Sequence, residues 1–408
     1  MAEQVRFLHL IGQFPAINHG YLLAEVRHLR RLGFEVSVAS VSPPDRPAGK
    51  LSPEEREEVA RTYYLKSTPI AQVLLSNVSE FLSHPLRYLR GLSFTLGLAG
   101  PRPKRLAYHL AYFGQAVLVG REMRRTAISH LHASFSATVA LITTRVFPVT
   151  MSFGVYGFGE LHDPVSTHLA ERIHGALFVR SISGHGRGQL MLACDRSRWA
   201  KLVHVPLGID ASEFSPGPPR AISSPLRLLC VGRLAPEKGQ ALLLEAVAAL
   251  SMEGRPVYVR LVGDGPDRSW LETRAAELGI ASNVEFVGWV DQARLIAVYA
   301  EADVFVLPSL AEGIPIVLME AMAMEKPCIA PRITGIPELI EHGVDGLLFV
   351  AGDVDDLKKG IGRLMNSPER CRQIGKQARA RVLRDYDMAR NTELFAALLR
   401  ERLGDTPR

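Results

Sequence analysis

Two carboxylates, Glu312 and Glu320, sit eight positions apart in the stretch ADVFVLPSLAEGIPIVLMEAMAMEKP, residues 302–327. A buried strand is expected over 304–307, a loop over 308–313, and a helix that opens at Pro315 and stops before Pro327. Glu312 then lies just ahead of a helix N-terminus, where free N–H groups and the helix dipole hold phosphate or sugar hydroxyls. Glu320 falls in the run 316–324, which is otherwise wholly apolar. An ionised carboxylate buried there without a partner costs several kcal/mol, so something polar has to meet it. Each residue alone has an ordinary explanation, Glu320 as an exposed or ion-paired side chain and Glu312 as a helix N-terminal charge. Bracketing Gly313-Ile314-Pro315 after a strand, the two read as parts of one ligand site.

Cations recur at the same sheet edge. After an apolar run at 226–231 come Gly232 and Arg233, then Glu237-Lys238-Gly239 opening a helix. Glycine lets the backbone turn tightly while Arg233 and Lys238 supply an anion site near the helix start. After 257–262 comes Gly263-Asp264-Gly265, and after 304–307 come Ser309 and Glu312. A phosphate held by Arg233 and Lys238 therefore has a carboxylate-bearing loop nearby for hydroxyl groups. Taken singly these are surface charges and plain turns; their order at successive strand ends is the specific feature.

The elements that must position them form two alternating series. At 408 residues with 47% hydrophobic composition, the chain is long enough for two domains, each with its own core. Residues 1–207 open with a β-α-β unit (strand 5–11, helix 18–31, strand 34–41), pass a Pro-rich loop at 42–53, and carry helical patterns over 71–126 interrupted at 97–103. Strands at 129–132, 149–153, 175–179 and 201–205, with a helix from Ser183, resume the sheet. A Pro/Gly/Ser-rich linker spans 208–225. Residues 226–385 hold six strands, near 226–231, 257–262, 284–287, 304–307, 328–330 and 347–349, and 386–408 form a terminal helix expected to return to the first domain. The fold class is α/β, with two doubly wound sheets whose ligands bind outside the carboxyl ends of the strands.

Charge is localised. Residues 84–128 hold eight basic side chains against Glu122 alone, a balance of +7, so with a net charge of +6 the remainder nets to −1. One cationic surface argues against a generally nucleic-acid-coating protein. Interleaved Tyr88, Leu89, Leu92, Phe94, Leu96, Tyr108, Tyr112 and Phe113 make this basic segment suited to anionic lipid. No apolar run of about 18 residues is present and the N-terminus has no secretory pattern, so a cytoplasmic protein is expected, peripheral on the inner face of the cytoplasmic membrane. Cys194, Cys230, Cys328 and Cys371 are widely spaced without a C-x-x-C pair, as buried thiols would be.

The runs VGRLAPEKG, LVGDGP, FVGWV, SLAEGIPIVLMEAMA and GIPELIEHGVDGLLF resemble the donor-binding half of the family 4 retaining glycosyltransferases. That family has the GT-B fold, two Rossmann-like domains facing across a cleft, and the likeness covers about 226–385. It implies a nucleotide-diphospho-sugar donor, UDP- or GDP-linked, and no separate cofactor. Arg233 and Lys238 would lie on the pyrophosphate, Glu312 with the amides of Gly313 and Ile314 on the sugar hydroxyls, and Glu320 on the ribose. Gly232, Gly263, Val290 and Ser309 complete the implied donor side.

The first half resembles members that build bacterial exopolysaccharide, of the colanic-acid type, through Phe14-Pro15 and His130-x-His132-x-x-Phe135, which puts Gly12, His132 and Glu160 on the acceptor side. Where members of that family commonly carry a His-Gly pair whose histidine meets the reacting sugar, this chain has Tyr156-Gly157. A tyrosine hydrogen-bonds a hydroxyl or phosphate but carries no imidazolium charge. No metal is expected: His130 and His132 alternate on one strand face without a third ligand, and Asp353 of the triplet Asp353-Val354-Asp355 reads as a helix N-cap.

The expected activity is metal-independent transfer of a hexose to a hydroxyl acceptor, a saccharide or lipid-linked saccharide. The rivals are a nucleotide-sugar epimerase of the same fold and a non-catalytic nucleotide-sugar-binding partner protein.

Overall fold

The computed structural model describes residues 4–218 and 221–404, so the chain ends and two positions of the expected 208–225 linker lie outside the described residues. The chain divides into two compact units, one of Met1–Ile182, Gly186–Pro206 and Arg390–Arg408, the other of Ser183–His185 and Leu207–Ala389.

The first unit is built on a parallel sheet of β1 (Arg6–Gln13), β2 (Glu35–Ser42), β3 (Thr62–Tyr64), β4 (His130–Ser134), β5 (Thr150–Val155), β6 (Val179–Ser181) and β7 (Leu202–His204). Their spatial order is β3-β2-β1-β4-β5-β6-β7, so the winding reverses between β1 and β4. All five residues of β4 are buried, as in a parallel strand covered on both faces. The helices expected over 71–126 are three, Ile70–Ser83, Pro85–Ala99 and Pro103–Arg125. Inside the unit, Arg180 is a fully buried cation. Its guanidinium donates to Glu25 Oε2 at 2.5 Å and to the carbonyls of Val205 and Pro206 at 3.1 Å, and lies 4.3 Å over the ring of Phe395 from the C-terminal helix. Taking both charges out of water is repaid only because each guanidinium nitrogen finds an acceptor.

The second unit has β8 (Leu226–Val231), β9 (Val257–Val262), β10 (Val284–Gly288), β11 (Val304–Val306), β12 (Cys328–Pro331) and β13 (Leu347–Phe349), in the order β10-β9-β8-β11-β12-β13, all parallel. Here the winding reverses between β8 and β11, which is where an open parallel sheet splits to admit a ligand. The strands are apolar runs because helices cover both faces: Leu228, Leu261, Val304 and Ile329 are essentially inaccessible to solvent. Asp353 caps the Val354–Met365 helix by accepting from the Asp356 N–H at 2.9 Å.

Three features differ from the expected elements, the first being the strand expected at 175–179, which is β6 at Val179–Ser181 after a helix over Leu169–Gly175. A Glu-rich helix, Pro53–Arg61, and the edge strand β3 fill the stretch between the expected loop at 42–53 and the expected helices from 71, to which the sequence pattern assigns nothing. In the basic segment, Phe113 is buried and Tyr88, Leu92, Phe94 and Tyr112 pack against the core of the first unit, so these side chains are not an outward apolar face.

Removing Glu25 leaves the Arg180 guanidinium buried and unpaired. Glu25→Ala is expected to lower the unfolding free energy of the first unit by about 3–5 kcal/mol, measured by urea titration through Trp199 with Trp270 and Trp289 replaced by Phe.

Candidate functional site

In the second unit the loops leaving β8 and β11 are forced together. Gly239 holds φ +63, and a side chain there would meet the Pro308 carbonyl at 2.2 Å, so only glycine closes this approach. The Leu310 N–H donates to the Glu237 carbonyl at 2.8 Å, locking one loop to the other. As a result Lys238 Nζ reaches Glu312 Oε1 at 2.6 Å, and the Ser309 hydroxyl donates to the same oxygen at 2.8 Å. Ser309 and Glu312 are buried and Lys238 is partly exposed. A charge-assisted contact of this length between a flexible ammonium and a buried carboxylate neutralises both.

The neighbouring turns line the same edge. Gly263 sits at φ +126, where a Cβ would strike the Gly232 carbonyl at 2.1 Å, and its N–H donates to the Gly288 carbonyl at 2.9 Å. The ends of β8, β9 and β10 are thereby stitched into one rim, and Val290, partly exposed, lies just beyond β10. Gly313 and buried Ile314 lead into the helix Ile316–Ala323, whose first N–H groups have no intrahelical partner. Pro315 is the residue preceding this helix rather than its first member.

Arg233 stands apart from Lys238. Its guanidinium is exposed and pairs with Glu237 one turn on, while buried Gln240 donates to the Arg233 carbonyl at 2.9 Å and fixes the backbone there. An exposed pair of this kind contributes little and is readily given up. Glu237 and Gln240 were not among the expected site residues.

Glu320 has found a partner within the fold. It is only partly exposed, and the hydroxyl of fully buried Tyr299 lies 2.8 Å from Glu320 Oε2 and 3.1 Å from the Val317 carbonyl. Burial raises the Glu320 carboxyl to about 7, the Tyr299 hydrogen bond opposing the shift. Near neutral pH this group exchanges between a carboxyl that donates and a carboxylate that accepts from hydroxyls. Tyr299 was missed because a tyrosine at helical spacing among apolar residues reads as core.

At the switch point of the first unit, Gly12, the penultimate residue of β1, lies close against Phe135; a Cβ on it would lie 3.1 Å from the Phe135 Cβ. Tyr156, placed by sequence against the reacting sugar, is 6% exposed and turned inward: its hydroxyl is 2.8 Å from Ser134 Oγ, which is 2.8 Å from His9 Nε2. Burial pushes that hydroxyl well above its ordinary value, so it is a neutral member of an internal chain. Glu160 accepts from the Tyr156 N–H at 3.1 Å and is raised to about 7 by burial, with nearby Arg172 opposing. Expected on the acceptor side, His132 is instead fully buried, its ring against Phe178 and Phe395 and its Nδ1 2.8 Å from Ser152 Oγ. Burial holds His132 far below the ordinary histidine value, and a neutral core imidazole cannot serve a surface acceptor. Among the described residues no three His, Cys, Asp or Glu side chains come together as a metal would need.

The description "Glycosyl transferases group 1" matches residues 214–381, the span that contains every part of the rim just described. The chain carries a group 1 glycosyl transferase domain. Over nearly the whole length it is similar to the amylovoran biosynthesis glycosyltransferase AmsK of Erwinia amylovora, 27% identical with 92% of this chain and 94% of that protein covered. It is similar as well to the putative colanic acid biosynthesis glycosyltransferase WcaL of Escherichia coli strain K12, 25% identical over 95% of this chain and 97% of that one. Among solved structures, Anabaena Alr3699/HepE in complex with UDP-glucose superposes with a TM-score of 0.73 at 18% identity, covering 98% of this chain and all of that one. The two Rossmann-like parallel-sheet units of this glycosyltransferase are those of the GT-B fold.

The raised carboxyl of Glu320 has a consequence for stability. The folded state binds its proton more tightly than the unfolded chain, so this contribution is complete below the ordinary carboxyl value of 4.5 and is lost as pH rises through about 7. The melting temperature of the wild type is expected to fall relative to Glu320→Gln between about pH 5 and about pH 8; parallel pH profiles would overturn the assignment.

Proposed function

We propose that this glycosyltransferase moves a hexose, with retention, from a UDP- or GDP-linked donor to a hydroxyl of a lipid-linked saccharide in exopolysaccharide or cell-surface polysaccharide synthesis. The observation that carries the reading is the Lys238–Glu312–Ser309 cluster at the β8/β11 split, with Glu320 and Tyr299 nearby in the same unit. Similarity to AmsK and WcaL supports the product class, and the UDP-glucose complex of the Anabaena neighbour supports the donor class.

In this reading the donor diphosphate draws Lys238 from Glu312 and Arg233 from Glu237. The freed Glu312 then accepts from sugar hydroxyls, with the Gly313 and Ile314 amides beside it. Ionised Glu320 accepts from the ribose hydroxyls while the Tyr299 hydroxyl holds it in place. Charge grows on the leaving diphosphate as the glycosidic bond breaks, and the two cations with the Ile316–Ala323 helix N-terminus stabilise it, which makes a metal unnecessary. The acceptor hydroxyl loses its proton to a departing phosphate oxygen on the same face of the sugar, so that configuration is retained. Tyr156 positions the floor of the first unit rather than touching the sugar. Acting on a lipid-linked acceptor puts the enzyme at the inner face of the cytoplasmic membrane.

Thermal stability measured with UDP, GDP, ADP and their sugar conjugates is expected to rise with one nucleotide family and to lose that response in Glu320→Ala. Lys238→Ala is expected to lower the transfer rate roughly 10²–10³-fold, and a chelator to leave it unchanged. Binding without transfer to any saccharide acceptor would favour the non-catalytic reading, and interconversion of the free nucleotide sugar would favour the epimerase. A loss on chelation that added metal reverses would overturn the metal-free mechanism.

A further inference from the structure

The helix Ile70–Ser83 is inside out. Its inward side carries Ser76 and Glu80, both buried, with Asn77 and partly buried Val73 beside them, while Ile70, Leu74, Leu75, Val78 and Leu82 are 56–77% exposed. A helix at the surface of a protein in water normally presents the reverse pattern. The inversion is anchored: the Arg124 guanidinium grips both oxygens of Glu80 at 2.8 and 3.1 Å, and the Tyr88 hydroxyl donates to Asn77 Oδ1 at 3.2 Å. The adjoining Pro85–Ala99 helix extends the apolar surface with Leu86 and Leu89, 83% and 50% exposed, flanked by exposed Arg87 and Arg90.

We propose that this face, centred on residues 70–90, docks onto a bilayer containing anionic lipid. Charge decides the occupant. From Lys66 to Arg121 the chain has seven Lys and Arg residues and one acid, Glu80, which is buried in its ion pair. A second copy meeting this face about a two-fold axis would set Arg87 and Arg90 against their own likeness. Anionic headgroups supply the missing counter-charge, while acyl chains take Leu74, Leu75, Val78 and Leu82. At 14 residues the helix is about 21 Å long, which suits lying in the headgroup layer and not spanning it. The expected basic segment 84–128 supplies flanking charge, and the apolar contact comes largely from the helix before it. This rests on the preceding reading only for why a lipid surface is visited, since the face lies outside the donor unit.

The test is flotation of the full chain with phosphatidylcholine vesicles, with and without phosphatidylglycerol. The wild type is expected to float with the anionic vesicles, and Leu75→Gln/Val78→Gln/Leu82→Gln to lower its partition about tenfold or more. Arg87→Gln/Arg90→Gln/Lys104→Gln is expected to remove the dependence on phosphatidylglycerol. Both variants should melt as the wild type does, and any nucleotide-induced stabilisation should persist in them, which separates failure of this surface from failure of the donor reading. Equal flotation of the apolar variant, or a wild type that stays at the bottom with both vesicles, would overturn the proposal. So would a wild-type dimer that the apolar variant turns into a monomer.

Discussion

The second unit depends on one close approach, the loop after β8 against the loop after β11, which exists because position 239 has no side chain. Everything chemical follows from it. Where a parallel sheet reverses its winding, two strand exits diverge and leave a crevice; here the Pro308 carbonyl is drawn against Gly239, and Lys238 and Glu312 are left facing each other. The Lys238–Glu312 cluster is neutral as a whole, so no bare buried charge has to be tolerated. A ligand that takes the ammonium releases the carboxylate in the same act. Under the proposed reading, anion binding and hydroxyl recognition would thereby be linked.

The buried polar groups of the first unit follow a different logic. His9, His130 and His132 are stripped of water and kept neutral, each using serine or threonine hydroxyls as partners. Hydroxyls suit neutral imidazoles because they donate or accept as needed. This network fixes the alignment of β1, β4 and β5 and so sets where Gly12 and Phe135 stand at the sheet edge. Its residues resemble chemistry in sequence and act as architecture in the fold.

How much was legible depended on which physical signal each feature left. The strands of the second unit were read within a residue or so because parallel strands covered on both sides are unbroken apolar runs bounded by glycine or polar turns. The Pro53–Arg61 helix and three-residue β3 left no such run, since a Glu/Arg-rich edge buries little. Lys238, Ser309 and Glu312 were legible as a set through their shared place at strand ends. Alternation correctly put His130 and His132 on one face, where both stack on Phe178, but strand periodicity does not say whether that face meets water. Tyr299 is bound to Glu320 from 21 positions away, and no local pattern carries that pairing. Helical spacing over 70–83 was equally plain, yet which side faced out was settled by Arg124 on a later helix.

The helix Met388–Gly404 contributes Phe395 to the first unit, where that ring covers both Arg180 and His132. On the ribosome this inverts the usual order of maturation. Most of the first unit is synthesised first, but its guanidinium and imidazole stay uncovered until Phe395 has emerged, by which time the whole of the second unit has been available to fold. A chain stopped short of Phe395 would keep a complete second unit and an unfinished first. Quality control that senses exposed core would therefore read, in this one helix, whether translation had passed Phe395.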